Sequence, residues 1–320
     1  MGEVVSLTLR TGMQRVVPFA VSALALWVVF RNLDTSLVLD SLNWHVAAVM
    51  LPALLVFAVS TLGIEVVCIL RMLQRPSPDF GIVLAARIKC ASYLLGILHY
   101  ALGVGALTVL LRRRAKVSLA DAAGTVLLIS SGDLLVVLGF AAVGMAVVGA
   151  DAPLLGVFAA VFAAGGGGIA LLRAPFSLGP LERIRALPFF ASLRAVPPLR
   201  LLELLGLRVL FSCVLLGLSG SAFYAFGIPV EPSRLVVGMM IVAAVSALPI
   251  AVAGLGTGQA AFLATFRGLA EPEALLALSL TLSASMISVR VLMGLIFARE
   301  FSVQAIQEQG RVHADEQPQP

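Results

Sequence analysis

Residues 248–266 read LPIAVAGLGTGQAAFLATF and place one proline and three glycines inside a long apolar segment. Glycine lowers helix propensity and lets other groups approach the backbone, while Pro249 removes a donor and disturbs the preceding turn. An unbroken membrane-spanning helix gains nothing from either residue. Broken backbone at membrane depth persists where it is buried in protein or lines a wet cavity, and broken helices mark the binding sites of transporters. The stretch therefore predicts a polar site built on a broken helix.

The composition sets the class of protein. With 60% hydrophobic residues, 12% charged residues and a mean hydropathy of +1.05, the 320-residue chain has more apolar surface than a soluble domain can bury. We therefore predict an all-α polytopic membrane protein. The net charge of +5 comes mainly from basic residues in predicted loops, so it indicates topology and contact with lipid headgroups rather than nucleic-acid binding.

Several classes of site are excluded by the motifs that the sequence lacks. The three cysteines, Cys68, Cys90 and Cys213, lie in or beside apolar segments, which disfavours a disulfide framework or a zinc site. The sequence contains no Walker A motif, no nucleophile elbow and no His or Cys cluster with metal-ligand spacing. We predict no cofactor, no metal and no catalytic residues.

Hydropathy divides the chain into about six spanning helices and two re-entrant hairpins. The predicted spans are residues 16–30, 46–70, 118–150, 154–172, 204–226 and 273–298. The predicted hairpins are residues 90–111, which turn near 99–105, and residues 235–266, which turn at the glycines. We expect the 118–150 span to be interrupted at Ser130–Asp133.

Basic residues are the reason for predicting hairpins instead of two further spans. A spanning helix over residues 90–111 would place the basic cluster that follows it outside, against the positive-inside bias. That cluster is Arg112, Arg113, Arg114 and Lys116. With both hairpins, 17 of the 22 lysines and arginines lie inside, 3 lie outside and 2 lie within spans. Among the residues assigned to the cytoplasmic face are Arg71, Arg75, Arg87 and Lys89. Both chain termini are then cytoplasmic.

A weak internal repeat fits the same topology. A shift of 153 residues aligns residues 102–105 with 255–258 and brings Asp133 opposite Met286. Repeat unit 1 covers about 80–150 and unit 2 about 233–298, within one transmembrane domain of residues 1–308 and before a disordered cytoplasmic tail of 309–320. Units on opposite faces would be inverted repeats with a site between them. Glycine-rich apolar helices also align by chance, and that alternative stays open.

Five ionisable residues fall inside apolar segments, where charge is costly and usually functional: Glu65, His99, Asp133, Arg208 and Arg290. The repeat places Asp133 and Arg290 one helical turn apart, so we predict that they pair across the pseudo-axis. The alternative is a pair that only fixes packing. His99, at a hairpin tip, is a candidate proton carrier or headgroup donor, or an ordinary hydrogen-bonded histidine. The alternative for Glu65 is a side chain that reaches the membrane interface.

The hairpins supply the remaining candidate binding residues, whose unpaired backbone groups would face a headgroup. They are Gly103, Gly105, Pro249, Gly254, Gly256, Gly258 and Gln259. The cluster of Arg112, Arg113, Arg114 and Lys116 is foremost a topology anchor, and secondarily a surface for anionic lipid headgroups. Membrane lipids are the predicted partners, and a membrane-protein partner remains open.

The L-P-I at residues 248–250, followed by G-L-G at 254–256, resembles the membrane domain of the lysylphosphatidylglycerol synthase family, also called the flippase-like domain family. Residues 118–123 and 133–135 are similar to that family's first half, and the resemblance covers about 44–298. Two features depart from the family pattern. Gly258 and Gln259 stand where an arginine and a glutamate are common, which removes a charge that would engage a cationic headgroup, and the first hairpin lacks the usual proline and asparagine.

The resemblance implies a helical bundle with re-entrant helices that moves a phospholipid or lipid-linked headgroup between the leaflets of a bacterial inner membrane. Members that make lysyl lipid carry a soluble acyltransferase-like domain after the membrane part. This chain ends at Pro320 without one, so we do not expect lipid aminoacylation by this chain alone. Two other classes stay open: an accessory membrane subunit of lipid or glycan synthesis, and an intramembrane lipid-modifying enzyme, for which no catalytic pair is evident.

Overall fold

The computed structural model describes residues 43–98, 100–148, 152–173, 182–187, 190, 194–247 and 256–297. Regular structure in these ranges is entirely α-helical, which confirms the predicted class. In chain order the helices are α1 (Trp44–Met72), α2 (Ile82–Leu98), α3 (Tyr100–Arg114), α4 (Leu119–Val148), α5 (Ala152–Arg173), α6 (Glu182–Arg185), α7 (Pro198–Ala225), α8 (Pro232–Ser246), α9 (Thr257–Thr265) and α10 (Pro272–Ile296).

Five of these helices, α1, α4, α5, α7 and α10, are long and apolar enough to cross a membrane. They correspond to five of the six predicted spans, and the sixth, residues 16–30, lies outside the described residues. The expected interruption of the 118–150 span is wrong, because α4 continues through Ser130–Asp133. Gly132 serves helix packing there: a Cβ at this position would lie 3.3 Å from the Leu204 side chain of α7. Pro198 starts α7 earlier than predicted, since proline suits the first turn of a helix.

Helices α2 and α3 pack against each other as a helical hairpin, which we call the first hairpin. The backbone N–H of Ser77, before α2, donates to the carbonyl of Ala115, after α3, at 2.9 Å. The two outer ends of the hairpin therefore lie side by side. With 17 and 15 residues the helices are roughly 26 and 23 Å long, shorter than the hydrocarbon core of about 30 Å.

The first hairpin depends on close contact between two glycines. A Cβ built on Gly103 would lie 2.6 Å from the Cα of Gly96 on the facing helix. Gly103 and Gly105 were predicted to form the turn, but α3 already begins at Tyr100 and both are helical. The predicted turn is therefore wrong for residues 100–105, and His99 lies outside the described residues. Glycine here shortens the distance between helices instead of bending the chain.

Helices α8 and α9 form the second hairpin in the same way. The Arg234 guanidinium, in the first turn of α8, donates through Nη2 to the carbonyl of Arg267, just after α9, at 2.8 Å. Gly238 lies against the ring of Phe266, and a Cβ on Gly258 would lie 2.9 Å from the Ser246 hydroxyl. The predicted break falls between the two helices, although Pro249 and Gly254 lie outside the described residues.

Two apolar clusters organise the described part of the bundle. The first surrounds the outer ends of the first hairpin and includes Ile69, Leu110 and Ala115. The second lies beside the second hairpin and is centred on three aromatic rings, Phe223, Phe262 and Phe266, whose centroids are 4.6 to 5.8 Å apart. Helices α1, α4 and α7 contribute side chains to both clusters, so they connect the two ends of the molecule.

The outer ends of the two hairpins lie at opposite ends of α4. Ala115, at the end of the first hairpin, precedes the start of α4 by a few residues. Gly144, near the other end of α4, lies directly against Val237 in the first turns of α8. Helix α4 has 30 residues and is roughly 45 Å long. The two hairpins therefore point into the bundle from opposite directions.

Arginines close the end of the bundle that holds the first cluster. Arg71 Nε lies 3.0 Å from Glu203 Oε1, and Arg200 donates to the carbonyl of Arg71 at 2.9 Å. Arg173, at the end of α5, donates to the carbonyl of Val196 at 2.8 Å. The basic cluster at the end of α3 belongs to the same end, since Ala115 is bonded to Ser77 there. One end of the described bundle is thus strongly basic.

The glycine contact can be tested with a matched pair of substitutions. We expect Gly103→Ala to destabilise the protein by about 1–3 kcal/mol, because the added methyl group would overlap the backbone of Gly96. Gly105→Ala, on the same helix, meets nothing within 4 Å and should be neutral or slightly stabilising through helix propensity. Thermal unfolding in detergent measures both. Equal melting temperatures for the two variants would contradict the contact.

Candidate functional site

A cavity of about 240 Å³ lies inside the bundle, between the two apolar clusters. Leu107 and Ile129 of the first cluster and Phe57 of the second contribute to its wall. Five ionisable side chains line it, each from a different helix: Glu65 (α1), Lys89 (α2), Asp133 (α4), Arg208 (α7) and Arg290 (α10). Folding therefore collects charges that are far apart in the sequence.

The carboxylate of Glu65 holds two of the three cations. Its Oε1 accepts a hydrogen bond from Arg208 Nη1 at 2.8 Å, and its Oε2 lies 2.9 Å from Lys89 Nζ. Glu65 itself is only 7% exposed. Both contacts have the short length of charge-assisted interactions. One acidic residue therefore connects helices α1, α2 and α7. The alternative that Glu65 reaches the membrane interface is wrong, because its carboxylate faces the interior.

Arg208 is the most deeply buried of these residues, with 1% of its surface exposed. Its Cζ lies 5.6 Å from the centre of the Phe211 ring, within the range of a cation–π contact. Among the described residues, its Nε and Nη2 have no hydrogen-bond partner. A buried donor without an acceptor is costly, so Arg208 is only partly satisfied by the surrounding protein.

Asp133 lies near Arg208 but does not bond it closely. Its Oδ1 is 3.8 Å from Arg208 Nη1, which is an ion pair but too long for a hydrogen bond. The side chain of Asp133 is 43% exposed, whereas that of Glu65 is 10% exposed. Arg208 therefore has two carboxylates within reach and holds one of them tightly.

Arg290 lines the same cavity from α10 and is exposed. It forms no ion pair with another residue of the described ranges. The structure brings Asp133 and Arg290 to one cavity, but the ion-pair partner that it shows for Asp133 is Arg208. A direct bond between Asp133 and Arg290 stays a prediction.

Lys89 is the charged residue that sequence reasoning placed wrongly. It was grouped with Arg71, Arg75 and Arg87 at the cytoplasmic face, whereas it lies inside the bundle beside Glu65. Arg87 and Lys89 are two residues apart on a helix, so they face different sides: Arg87 is exposed, and the Lys89 side chain is 15% exposed. The charge of Glu65 makes the interior position tolerable.

The spacing of residues along α1 and α2 could have predicted part of the cavity wall from the sequence. Phe57, Thr61 and Glu65 follow each other at intervals of four residues on α1, and Lys89 and Tyr93 do so on α2. Residues so spaced share one face of a helix. The Lys89 ammonium also lies 5.4 Å from the centre of the Tyr93 ring. A charged residue inside an apolar helix therefore predicts that other residues on the same helix face also line the cavity.

Two hydroxyl groups that line the cavity donate hydrogen bonds to backbone carbonyls. Thr61 donates to the carbonyl of Phe57 at 2.7 Å, and Ser92 donates to the carbonyl of Lys89 at 2.7 Å. Each of these hydroxyls is therefore engaged by its own helix.

No group of three or more His, Cys, Asp or Glu residues in the described ranges is arranged as a metal site.

Only some of the hairpin residues that were predicted to bind a headgroup line the cavity. Gly103 lines the cavity, whereas Gly105 does not. In the second hairpin, Gly256 takes a φ of +87°, a conformation that favours glycine, and begins α9. His99, Pro249 and Gly254 lie outside the described residues.

Gln259 has a clear structural role in the second hairpin. Its Oε1 accepts a hydrogen bond from the Gly256 backbone N–H at 2.6 Å, and its Nε2 donates to the Ser283 hydroxyl of α10 at 3.1 Å. The side chain is buried and joins the start of α9 to α10. Gln259 and its neighbours Gly256 and Gly258 are not among the residues that line the charged cavity.

The ion-pair network gives a stability test. We expect Glu65→Gln to destabilise the protein by about 3–5 kcal/mol, because Lys89 and Arg208 would lose their shared counter-ion. Adding Arg208→Gln to that variant should cost less than the sum of the two single changes, since the two residues are coupled. Unfolding in detergent provides the values.

Glu203→Gln is the matched control, because it removes a partly exposed pair with Arg71 at the end of the bundle. Exposed pairs contribute about 1 kcal/mol or less. An equal loss of stability in Glu65→Gln and Glu203→Gln would show that the interior network does not hold the helices together.

Comparison with known proteins identifies the family. Residues 15–294 match the family model described as the lysylphosphatidylglycerol synthase TM region, which covers most of the 320-residue chain. No curated protein and no solved structure matches. The resemblance seen at the L-P-I and G-L-G motifs is thereby confirmed, and the many apolar helices agree with a multi-pass membrane protein. The chain belongs to the lysylphosphatidylglycerol synthase transmembrane-region family.

Proposed function

We propose that this protein is a lipid translocase that moves a phospholipid or lipid-linked headgroup between the two leaflets of a bacterial inner membrane. The observation that carries the proposal is the cavity lined by five ionisable side chains from five helices. Charge inside a membrane bundle is costly, and where it occurs it usually marks the path of a polar substrate. Membership of a lipid-related family supports a lipid as that substrate.

The two hairpins support alternating access to the cavity. Their helices are shorter than a membrane-spanning helix, and their outer ends lie at opposite ends of α4. In a membrane they would enter from opposite faces as re-entrant helices. Each is followed by a long helix, α4 or α10, which is the order expected of inverted repeats. The site would then lie between the repeats, near the midplane.

Arg208 supplies a candidate gate within this cavity. It is bonded to Glu65 at 2.8 Å and lies 3.8 Å from Asp133, so a small movement of α4 against α7 would exchange one carboxylate for the other. Such exchange makes an ion-pair network bistable. In this mechanism the headgroup enters the cavity while its acyl chains stay in lipid, and an ion gradient or the lipid gradient supplies the driving force.

The basic end of the bundle suggests its orientation. Positive-inside bias places the end that carries Arg71, Arg173 and Arg200 in the cytoplasm. Both termini would then be cytoplasmic as well. The last turn of α3 and the residues after it carry the cluster of Arg112, Arg113, Arg114 and Lys116 at this end, where anionic headgroups of the inner leaflet would contact it.

An accessory membrane subunit is the alternative function, and α5 is the observation that favours it. Val157, Val161 and Phe162 are exposed on this helix, which packs on α4. An apolar face of this kind fits a membrane-protein partner as well as lipid. The alternative assigns no ligand to the charged cavity, so we rank it second.

Cysteine labelling tests the predicted topology. In a protein whose native cysteines are replaced, we expect Asp79→Cys and Arg112→Cys to react with a membrane-impermeant maleimide from one side of the membrane, since both flank the first hairpin. Ser233→Cys and Arg267→Cys flank the second hairpin and should react only from the other side. All four positions are exposed. Labelling of all four from the same side would exclude entry from opposite faces.

Transport itself is tested in proteoliposomes with fluorescent lipids of several headgroup classes and a quencher on one side. Wild-type protein should accelerate exchange between leaflets, and Asp133→Asn or Arg290→Gln should abolish it without loss of folded protein. Asp79→Asn, at an exposed loop position, is the control and should behave as wild type. Failure of the wild-type protein to accelerate any lipid would instead favour the accessory function.

A further inference from the structure

The charges that line the cavity do not balance. Lys89, Arg208 and Arg290 contribute three positive charges, and Glu65 and Asp133 contribute two negative ones, which leaves one positive charge in excess. An excess of positive charge around a cavity attracts an anion and repels a cation. The lining therefore favours an anionic ligand over a cationic one.

The donors that lack a hydrogen-bond acceptor show where such an anion would bind. Glu65 already serves Lys89 and Arg208, and Asp133 approaches Arg208 only to 3.8 Å. Arg208 keeps two nitrogens, Nε and Nη2, without an acceptor among the described residues. Arg290 forms no ion pair there either. Two guanidinium groups at one cavity thus have unused donor capacity.

Guanidinium groups suit anions whose oxygens accept hydrogen bonds in pairs, namely carboxylates and phosphates. In a membrane lipid headgroup the phosphate is the group of this kind. The cavity has a volume of about 240 Å³. Phe57 and Phe211 add an apolar wall against which the rest of a headgroup can pack.

A cationic amine on the headgroup would be poorly placed in this cavity. Both carboxylates already face Arg208, and Glu65 also binds Lys89, so an amine would compete with cations of the protein. In the second hairpin, Gln259 is uncharged and is held by Gly256 and Ser283. No acidic residue without a cation nearby lines the cavity in the described ranges.

We infer that the cavity selects an anionic phosphate ester without a cationic amine, and that the ligand is the headgroup of an anionic lipid such as a phosphatidylglycerol. In this assignment Arg290, the exposed cation, meets the phosphate first, and Arg208 meets it deeper in the cavity. The choice of substrate class rests on the proposed translocase function, whereas the binding preference can be measured without transport.

Binding is measured by native mass spectrometry of the full chain in detergent with three lipids of identical acyl chains. They are phosphatidylglycerol (anionic), phosphatidylcholine (zwitterionic) and lysylphosphatidylglycerol (cationic). We expect phosphatidylglycerol to be retained about tenfold better than either of the others. Arg290→Gln should remove this preference, and Arg290→Lys should keep most of it because the charge remains.

Arg87→Gln is the matched control for the loss of one positive charge. Arg87 is exposed on α2, two residues from Lys89, and does not line the cavity. Its variant should keep the preference of the wild type. Equal loss of preference in Arg87→Gln and Arg290→Gln would overturn the assignment, because the effect would then come from overall charge.

Two further measurements distinguish a lipid phosphate from a free phosphate ester, and the binding site from the translocase function. Soluble glycerol phosphate that binds as tightly as phosphatidylglycerol would overturn the lipid assignment in favour of a free ester. In proteoliposomes, equal transport of all three lipids would overturn the selectivity and leave the translocase function intact. Selective binding of phosphatidylglycerol without any transport would support the site and contradict the proposed function.

Discussion

The structure depends on one carboxylate that binds two cations inside an apolar bundle. Glu65 contacts Arg208 at 2.8 Å and Lys89 at 2.9 Å, and the three residues belong to three helices. Each cation would be costly in this interior without the acid, and the acid would be costly without the cations. The positions of α1, α2 and α7 are therefore coupled. Any rearrangement that opens the bundle has to keep this network or replace it.

Beside this network, the described part of the bundle contains two hairpins of short helices. The first hairpin brings Lys89 and Gly103 to the cavity, and its close packing depends on the contact between Gly96 and Gly103. The second hairpin is held by Arg234, which bonds the carbonyl of Arg267, and by Gln259. Because the long helix α4 separates the outer ends of the hairpins, the charged residues lie in the middle of the bundle and away from both ends.

The charge balance of the cavity links this architecture to a substrate. Two carboxylates and three cations line the cavity. In the described part of the chain the carboxylates pair with Lys89 and Arg208, Arg290 forms no ion pair, and two nitrogens of Arg208 have no acceptor. A site of this kind differs in sign from one built for a cationic lipid. Family membership therefore defines the membrane domain and its relation to lipids, whereas the side chains of the individual cavity set the charge of its lining.

Sequence alone determined the membrane class, five long helices and the family, because hydropathy and motif residues are local properties. It also singled out Glu65, Asp133, Arg208 and Arg290, since an ionisable residue in an apolar run is conspicuous. Lys89 was missed because its neighbour Arg87 made it look like part of a loop. Which carboxylate binds which cation depends on how five helices meet, and that packing is a property of the tertiary structure alone.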